Sequence, residues 1–205
     1  MKKFVFSFYL RHQYFLTKYL KWLIRNRNYS VNKIIINLMN KGLTRYFLVA
    51  RRISLADARK LINGSTQIGI TYCVCKDCYK NKKEQKCIFM DFGYEIYKKN
   101  GPYKISKISK RSAIEKITSL SRSNHIPIIP WNPLRISIFP EAYCICNCRS
   151  DHCMPLRFSD DYGLETLIHS DIRYSRMHLV IFFISLIFSP LILLNMLYYR
   201  LCVDS

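Results

Sequence analysis

The chain has 205 residues, which is enough to bury a hydrophobic core and excludes a very small fold held together only by its cysteines. Lysine and arginine number 33 against 13 acidic residues, for a formal net charge of +20. Such a balance favours anionic partners (nucleic acid, acidic lipid headgroups or an acidic protein surface) without choosing among them. The sequence contains no glycine-rich phosphate loop, nucleophile elbow or H-E-x-x-H pair, so no catalytic constellation is visible.

Residues 1–50 form a basic N-terminal region. Aromatic residues recur there near the spacing of a helical turn, with basic residues among them, which predicts an amphipathic basic helix. This helix could lie in the lipid headgroup region or pack its aromatic stripe on the rest of the protein. A second apolar helix is predicted over residues 31–39. The aromatic positions are Phe4, Phe8, Phe15, Tyr19 and Trp22, and the basic ones are Lys18, Lys21, Arg25 and Arg27.

Two capped helices are predicted in the middle of the chain. Ser54 begins a capping box before a short helix that stops near Gly64. Ser109 is placed to cap a second helix. Each helix precedes a cysteine-rich segment, which hints at an internal repeat. Prolines within residues 126–141 predict a loop or extended stretch that leads into the second cysteine-rich segment.

Eight of the nine cysteines fall into two sets of four, spaced C-x-C-x2-C-x8-C and C-x-C-x-C-x4-C. Thiolates packed this closely repel one another unless a cation or cluster neutralises them, so both sets are predicted to bind a soft metal or an iron–sulfur cluster. A disulfide framework is the alternative, but a C-x-C pair would close a strained ring. The predicted ligands are Cys73, Cys75, Cys78 and Cys87 in the first set, and Cys144, Cys146, Cys148 and Cys153 in the second.

The spacing favours iron–sulfur over zinc. Zinc sites usually contain two C-x2-C knuckles, and only Cys75 and Cys78 have this form. Cube-type clusters accept more varied spacing, so one or two [4Fe–4S] clusters are predicted, with zinc as the alternative cofactor. Basic neighbours such as Lys86 would favour the thiolate form of the ligands. His152, next to Cys153, is either a further ligand or a solvent-facing residue of a polar turn.

Residues 51–156 resemble a cysteine-rich domain of anaerobic bacterial and archaeal iron–sulfur proteins, which often stands just ahead of a ferredoxin module. The resemblance rests on residues 52–54, on residues 73–76 with Cys87, and on residues 144–148 with Cys153. It implies a [4Fe–4S]-type site in an electron-transfer or redox protein. The ferredoxin signature C-x2-C-x2-C-x3-C-P does not follow downstream.

The C-terminal part carries an uncharged apolar segment. Residues 179–199 would span about 30 Å as a helix, which matches the hydrocarbon thickness of a bilayer. A single transmembrane helix is therefore predicted, with a buried core helix as the alternative. Arg173 and Arg176 precede the segment, so the positive-inside rule places the cysteine-rich domain in the cytoplasm, where thiols stay reduced.

These patterns predict a small, α-rich α+β fold, with an irregular cysteine-rich domain at residues 51–158, a linker or helix at 159–178 and a C-terminal transmembrane helix at 179–199. The predicted function is that of a membrane-anchored iron–sulfur protein, an electron carrier or redox accessory subunit of a membrane complex rather than an enzyme. A zinc-stabilised structural subunit of a membrane complex is the alternative. The predicted partners are anionic lipid headgroups and a protein redox partner. The lysine-rich segments 80–86 and 98–110 are assigned to lipid or solvent rather than to nucleic acid.

Overall fold

The computed structural model of the chain describes residues 2–26, 28–38, 50–123, 126–130, 144–149, 151–153, 156 and 189–202. The strands are β1 (Ala50–Arg52), β2 (Ile68–Tyr72), β3 (Gln85–Met90), β4 (Ser106–Lys107), β5 (Ile126–Pro130) and β6 (Cys144–Cys148). The helices are α1 (Lys2–Arg25), α2 (Ser30–Leu38), α3 (Leu55–Gly64), α4 (Val74–Lys80), α5 (Asp91–Asn100), α6 (Lys110–Arg122) and α7 (Ser189–Cys202). The strands form one antiparallel sheet in the order β1-β5-β6-β3-β2-β4.

The prediction of an irregular, α-rich cysteine domain is wrong for the described residues, because the cysteine-rich segments supply strands of this sheet. Cys87 lies in β3, and the second cysteine-rich run forms β6. Cysteines there alternate with apolar residues such as Ile88 and Ile145, which is the two-residue period of a strand. Both isoleucines are fully buried on one face of the sheet, whereas Cys87 and Cys144 lie in the core of the other face.

Helices cover both faces of the sheet. On one face α3 and α6 contribute Ala58, Ile62 and Ile117, whose side chains are fully buried. On the other face α1 and α5 contribute Leu10 and Tyr97, which are both 1% exposed. The face that carries the cysteines is therefore largely screened from water.

Both predicted helix caps are confirmed. The Ser54 hydroxyl accepts a hydrogen bond from the backbone N–H of Asp57 at 3.0 Å, at the start of α3. The Ser109 hydroxyl accepts one from the backbone N–H of Ser112 at 3.1 Å, at the start of α6. These caps satisfy N–H groups that have no partner within the helix, so they can be recognised from local sequence.

The N-terminal helix follows the second of its two predicted alternatives and packs on the rest of the protein. Leu23 of α1 and Ile35 of α2 are fully buried in a cluster that α1, α2 and α7 share. The Lys21 ammonium donates a hydrogen bond to the carbonyl oxygen of Cys78 at 2.5 Å, which joins α1 to α4. The aromatic stripe of α1 thus contributes to a protein core.

The prediction of a transmembrane helix, and with it a single-pass membrane location, is wrong: in the described ranges no helix is long and apolar enough to cross a bilayer. The C-terminal part of the predicted span lies in α7, which packs on α1. The Tyr19 hydroxyl donates to Asn195 Oδ1 at 2.8 Å, and the ring centroids of Tyr19 and Tyr199 are 5.6 Å apart. A hydropathy profile does not reveal this packing, because Tyr19 and Asn195 are 176 positions apart in the chain. Residues 159–188 lie outside the described ranges.

Asp91 stabilises the junction between β3 and α5. Its backbone is left-handed, with φ of 44°, which costs a non-glycine residue about 1 kcal/mol. Its Oδ1 atom accepts hydrogen bonds from the backbone N–H groups of Thr66 and Gln67, at 2.7 and 2.9 Å. Burial by itself would raise the pKa of this carboxyl, but the donors on Gln67 and Thr66 outweigh burial, and the pKa is lowered.

The lowered pKa of Asp91 predicts an acid-sensitive contribution to stability. This contribution is present above the pKa of about 3.9 of an unfolded Asp and is lost as pH falls through the folded value. We expect Asp91→Ala to reduce the free energy of unfolding by about 2 kcal/mol at pH 7 and by less at pH 3. Urea denaturation at both pH values measures this, with the exposed Glu95→Ala as control. Equal losses at the two pH values would contradict the assignment.

Candidate functional site

Five of the eight predicted cysteine ligands meet on the sheet face beneath α1 and α5. The antiparallel register of β3 and β6 places Cys87 directly opposite Cys146. Cys144 precedes Cys146 by two residues and therefore shares its face of the strand. Just beyond β2, Cys73 is the N-cap residue of α4, and Cys75 lies in the first turn of that helix. We call these five residues the cysteine cluster; they belong to, or pack against, one buried core.

The sulfur atoms of the cysteine cluster form a chain of contacts. The thiols of Cys75 and Cys87 lie close enough to the Cys73 sulfur to lower its pKa through hydrogen bonding, and Cys146 and Cys73 raise the pKa of Cys87 in the same way. The Sγ atoms of Cys146 and Cys144 are 3.5 Å apart. Cys73, Cys87 and Cys144 are 2%, 8% and 3% exposed, and the other two are half-buried. The cluster is therefore a largely buried group of thiols that water reaches only at its half-buried members.

The surroundings favour a thiolate at Cys73. The pKa of Cys73 lies well below its ordinary value, because the thiols of Cys75 and Cys87 donate hydrogen bonds to its sulfur. Burial opposes this shift and is outweighed. The pKa of Cys87 is raised by its hydrogen bonds to Cys146 and Cys73, and burial raises the pKa of Cys144. The cluster thus combines one cysteine whose pKa is lowered with two, Cys87 and Cys144, whose pKa values are raised.

Two of the remaining predicted ligands, Cys78 and Cys153, lie outside this chain of sulfur contacts. Cys78 faces α1, with its Sγ atom 3.9 Å from the Tyr14 carbonyl oxygen, and burial raises its pKa to about 12. Cys153 is fully buried in the turn after β6. Cys148 lies at the end of β6, opposite Ile126, and its side chain is outside the described part of the chain. The two sequence sets therefore contribute to one cluster and do not form two separate sites of four among the described side chains.

A buried ion network lies beside the cysteine cluster. Lys86, next to Cys87 on β3, is 0% exposed, and its Nζ atom is 3.6 Å from Oε2 of Glu84. The same carboxylate binds the Lys76 ammonium. The Glu84 carbonyl oxygen also accepts the backbone N–H of Cys73 at 3.0 Å, which connects the network to the cluster. A buried ammonium needs a counter-ion, and the Glu84 carboxylate is one that both lysines share.

His152 extends this network and is 1% exposed, so the solvent-facing alternative is wrong. The Lys86 ammonium donates to Nε2 at 2.6 Å, and Nδ1 donates to Asp151 Oδ1 at 2.6 Å. Burial, followed by the Lys86 charge, lowers the pKa of His152, which agrees with a neutral ring protonated at Nδ1. Sequence reasoning missed this pairing because Lys86 and His152 are 66 positions apart.

The cysteine cluster does not present a formed metal cage. In the described part of the chain, no group of three or more histidine, cysteine, aspartate or glutamate side chains is arranged to hold a metal ion. The sulfur atoms meet in successive pairs instead. Metal binding by these residues would require thiol protons to leave and sulfur atoms to turn toward a shared centre.

Comparison with protein-family models, with curated proteins and with solved structures finds no match for this chain. The resemblance of residues 51–156 to an iron–sulfur domain therefore stays a prediction. The geometry and chemistry of the cysteine cluster are the remaining evidence on function.

Proposed function

We propose that the cysteine cluster binds a thiophilic inorganic cofactor. The observation that carries this proposal is the contact of five cysteine sulfurs from three chain segments in one largely buried place. Soft cations prefer thiolate ligands and displace thiol protons when they bind. A site with one favoured thiolate and several adjacent thiols can release those protons in exchange for the metal charge.

The spacing of the Cys144 and Cys146 sulfur atoms favours a single tetrahedral ion such as zinc. Thiolates that share one zinc ion lie about 3.8 Å apart, given a Zn–S bond of about 2.3 Å. The 3.5 Å between the sulfur atoms of Cys144 and Cys146 is close to this value. Four thiolates from the cysteine cluster would hold the ion and connect β6, β3 and α4, a structural role that closed zinc sites commonly have.

An iron–sulfur cluster in an electron carrier is the second candidate. Each thiolate of a cube-type cluster binds a different iron, so the sulfur atoms would have to separate from their present contacts. The ion network favours this candidate, because the ammonium groups of Lys76 and Lys86 beside the site would offset the negative charge of the cofactor.

Anaerobic purification followed by zinc, iron and sulfide analysis tests both candidates. We expect a colourless protein with about one zinc per chain, whose reaction with a thiol reagent slows when zinc is bound. Visible absorption with matching iron and sulfide would instead establish the iron–sulfur candidate. A protein that binds neither metal after reconstitution with zinc, or with iron and sulfide, would overturn the proposal.

A further inference from the structure

The outer surface of α3 and α6 is a second feature with a functional consequence. The two helices pack side by side on the sheet face opposite the cysteine cluster. They run antiparallel, because the end of α3 contacts the start of α6 and an earlier residue of α3 contacts a later residue of α6. Their surfaces are joined by the Arg59 guanidinium, which donates to the Thr118 hydroxyl at 3.1 Å, and by the Lys110 ammonium, which donates to the Asn63 carbonyl oxygen at 2.6 Å. We call the outward-facing residues of these helices the α3–α6 surface.

This surface carries an excess of positive charge. Six basic and two acidic side chains on the two helices give it a net charge of +4. The acidic ones are engaged locally: Glu115 pairs with Arg111 at 2.9 Å, and Asp57 lies 3.9 Å from Lys60. The basic residues are Arg59, Lys60, Lys110, Arg111, Lys116 and Arg122, and the acidic residues are Asp57 and Glu115.

We propose that the α3–α6 surface binds the phosphodiester backbone of nucleic acid. Arginine, lysine and hydroxyl side chains are the groups that contact phosphates, and this surface adds Ser112 and Ser119 to its basic residues. Interfaces with nucleic acid are polar and strongly positive. Contacts of this kind position a chain on the backbone without reading its sequence.

The composition of the surface favours nucleic acid over lipid. Every exposed residue of α3 and α6, both fully described, is charged, polar, alanine or glycine. Helices that bind membranes insert large apolar side chains below the headgroups, and neither helix exposes one. The large exposed apolar residues of the described chain lie on other elements, such as α2 and α7. The lysine-rich segments 80–86 and 98–110, which stand out in the sequence, overlap this surface only at Lys110, the first residue of α6.

Binding of fluorescent single-stranded RNA, single-stranded DNA and duplex DNA by the full chain tests the proposal. The double variant Arg59→Gln/Arg122→Gln removes two neighbouring positive charges from the surface. The two arginines are close together because Arg59 contacts Thr118, and Thr118 lies one helical turn before Arg122 on α6. The matched control, Lys98→Gln/Lys99→Gln, removes two exposed charges from the last turn of α5. Circular dichroism checks that both variants are folded, and Lys60→Gln/Lys116→Gln serves as a second surface variant.

We expect the wild-type affinity to fall steeply with salt for at least one of the three nucleic acids. The surface variants should bind about tenfold more weakly at low salt, with a log–log salt slope smaller by about 2, whereas the control keeps both values near wild type. Equal losses in surface and control variants would show only a general attraction by the net charge and overturn the proposal. Absence of binding, or tighter binding to anionic phosphatidylserine vesicles through the same residues, would also overturn it. The outcome does not depend on metal binding at the cysteine cluster.

Discussion

Replacing Cys87 with serine is expected to abolish stoichiometric zinc binding and the stabilisation that zinc provides. Cys87 lies in the middle of the chain of sulfur contacts, between Cys73 and Cys146, so its loss divides the cysteine cluster. A ligand present at about 1,000 times its dissociation constant stabilises the folded state by about 4 kcal/mol. Thermal unfolding of reduced protein, with and without excess zinc, should show a large upward shift of Tm for wild type and none for Cys87→Ser.

Two control variants distinguish metal binding from general loss of packing. Cys202→Ser changes an exposed cysteine of α7 and should keep both the metal content and the shift in Tm. Cys78→Ser changes a buried cysteine outside the sulfur contacts; it should lower the starting Tm but keep the zinc-dependent shift. If Cys87→Ser binds zinc as tightly as wild type does, Cys87 is not one of the four zinc ligands.

Replacing Glu84 with glutamine is expected to reduce the free energy of unfolding by about 3 kcal/mol. The substitution removes the carboxylate shared by Lys76 and Lys86 and leaves the Lys86 ammonium, which is 0% exposed, without that counter-ion. Removing one partner of a buried ion pair commonly costs 3–5 kcal/mol, and the low end applies because Glu84 is 30% exposed. Urea denaturation at pH 7 measures the loss.

A second substitution tests the cause of this loss. Lys86→Met replaces the buried ammonium with an apolar side chain of similar length, so the double variant Glu84→Gln/Lys86→Met should recover most of the stability. Lys82→Met, at an exposed lysine of the preceding loop, is the control and should recover none. If the double variant is no more stable than Glu84→Gln alone, the Lys86 charge is not what makes Glu84 necessary.

Helix caps were predictable from sequence, whereas strand pairing was not. Ser54 meets its partner three residues away, so the whole interaction lies within one stretch of chain. Cys87 and Cys146, in contrast, face one another only because β3 and β6 are adjacent in the sheet. The sequence placed these two cysteines in different sets, each with four ligands, and could not show that they share one cluster.

The apolar C-terminal segment shows how a local property can mislead. Residues 179–199 lack charge, and hydropathy treats such a segment in the same way whether its surroundings are lipid or protein. The contacts of Asn195 and Tyr199 with Tyr19 depend on how the two ends of the chain come together. Lys86 and His152 make the same point within the site, because their pairing depends on how β3 and the turn after β6 approach each other.

The sequence by itself determined the thiol-rich chemistry of this protein, its excess of positive charge and its capped helices, because each depends on residue type or on neighbours within one helical turn. The tertiary structure alone decided which five cysteines meet, which carboxylate pairs with the buried lysine and which two helices place their basic residues side by side. These are relations between residues far apart in the chain, and they arise from sheet register and from helix packing on two faces of the sheet.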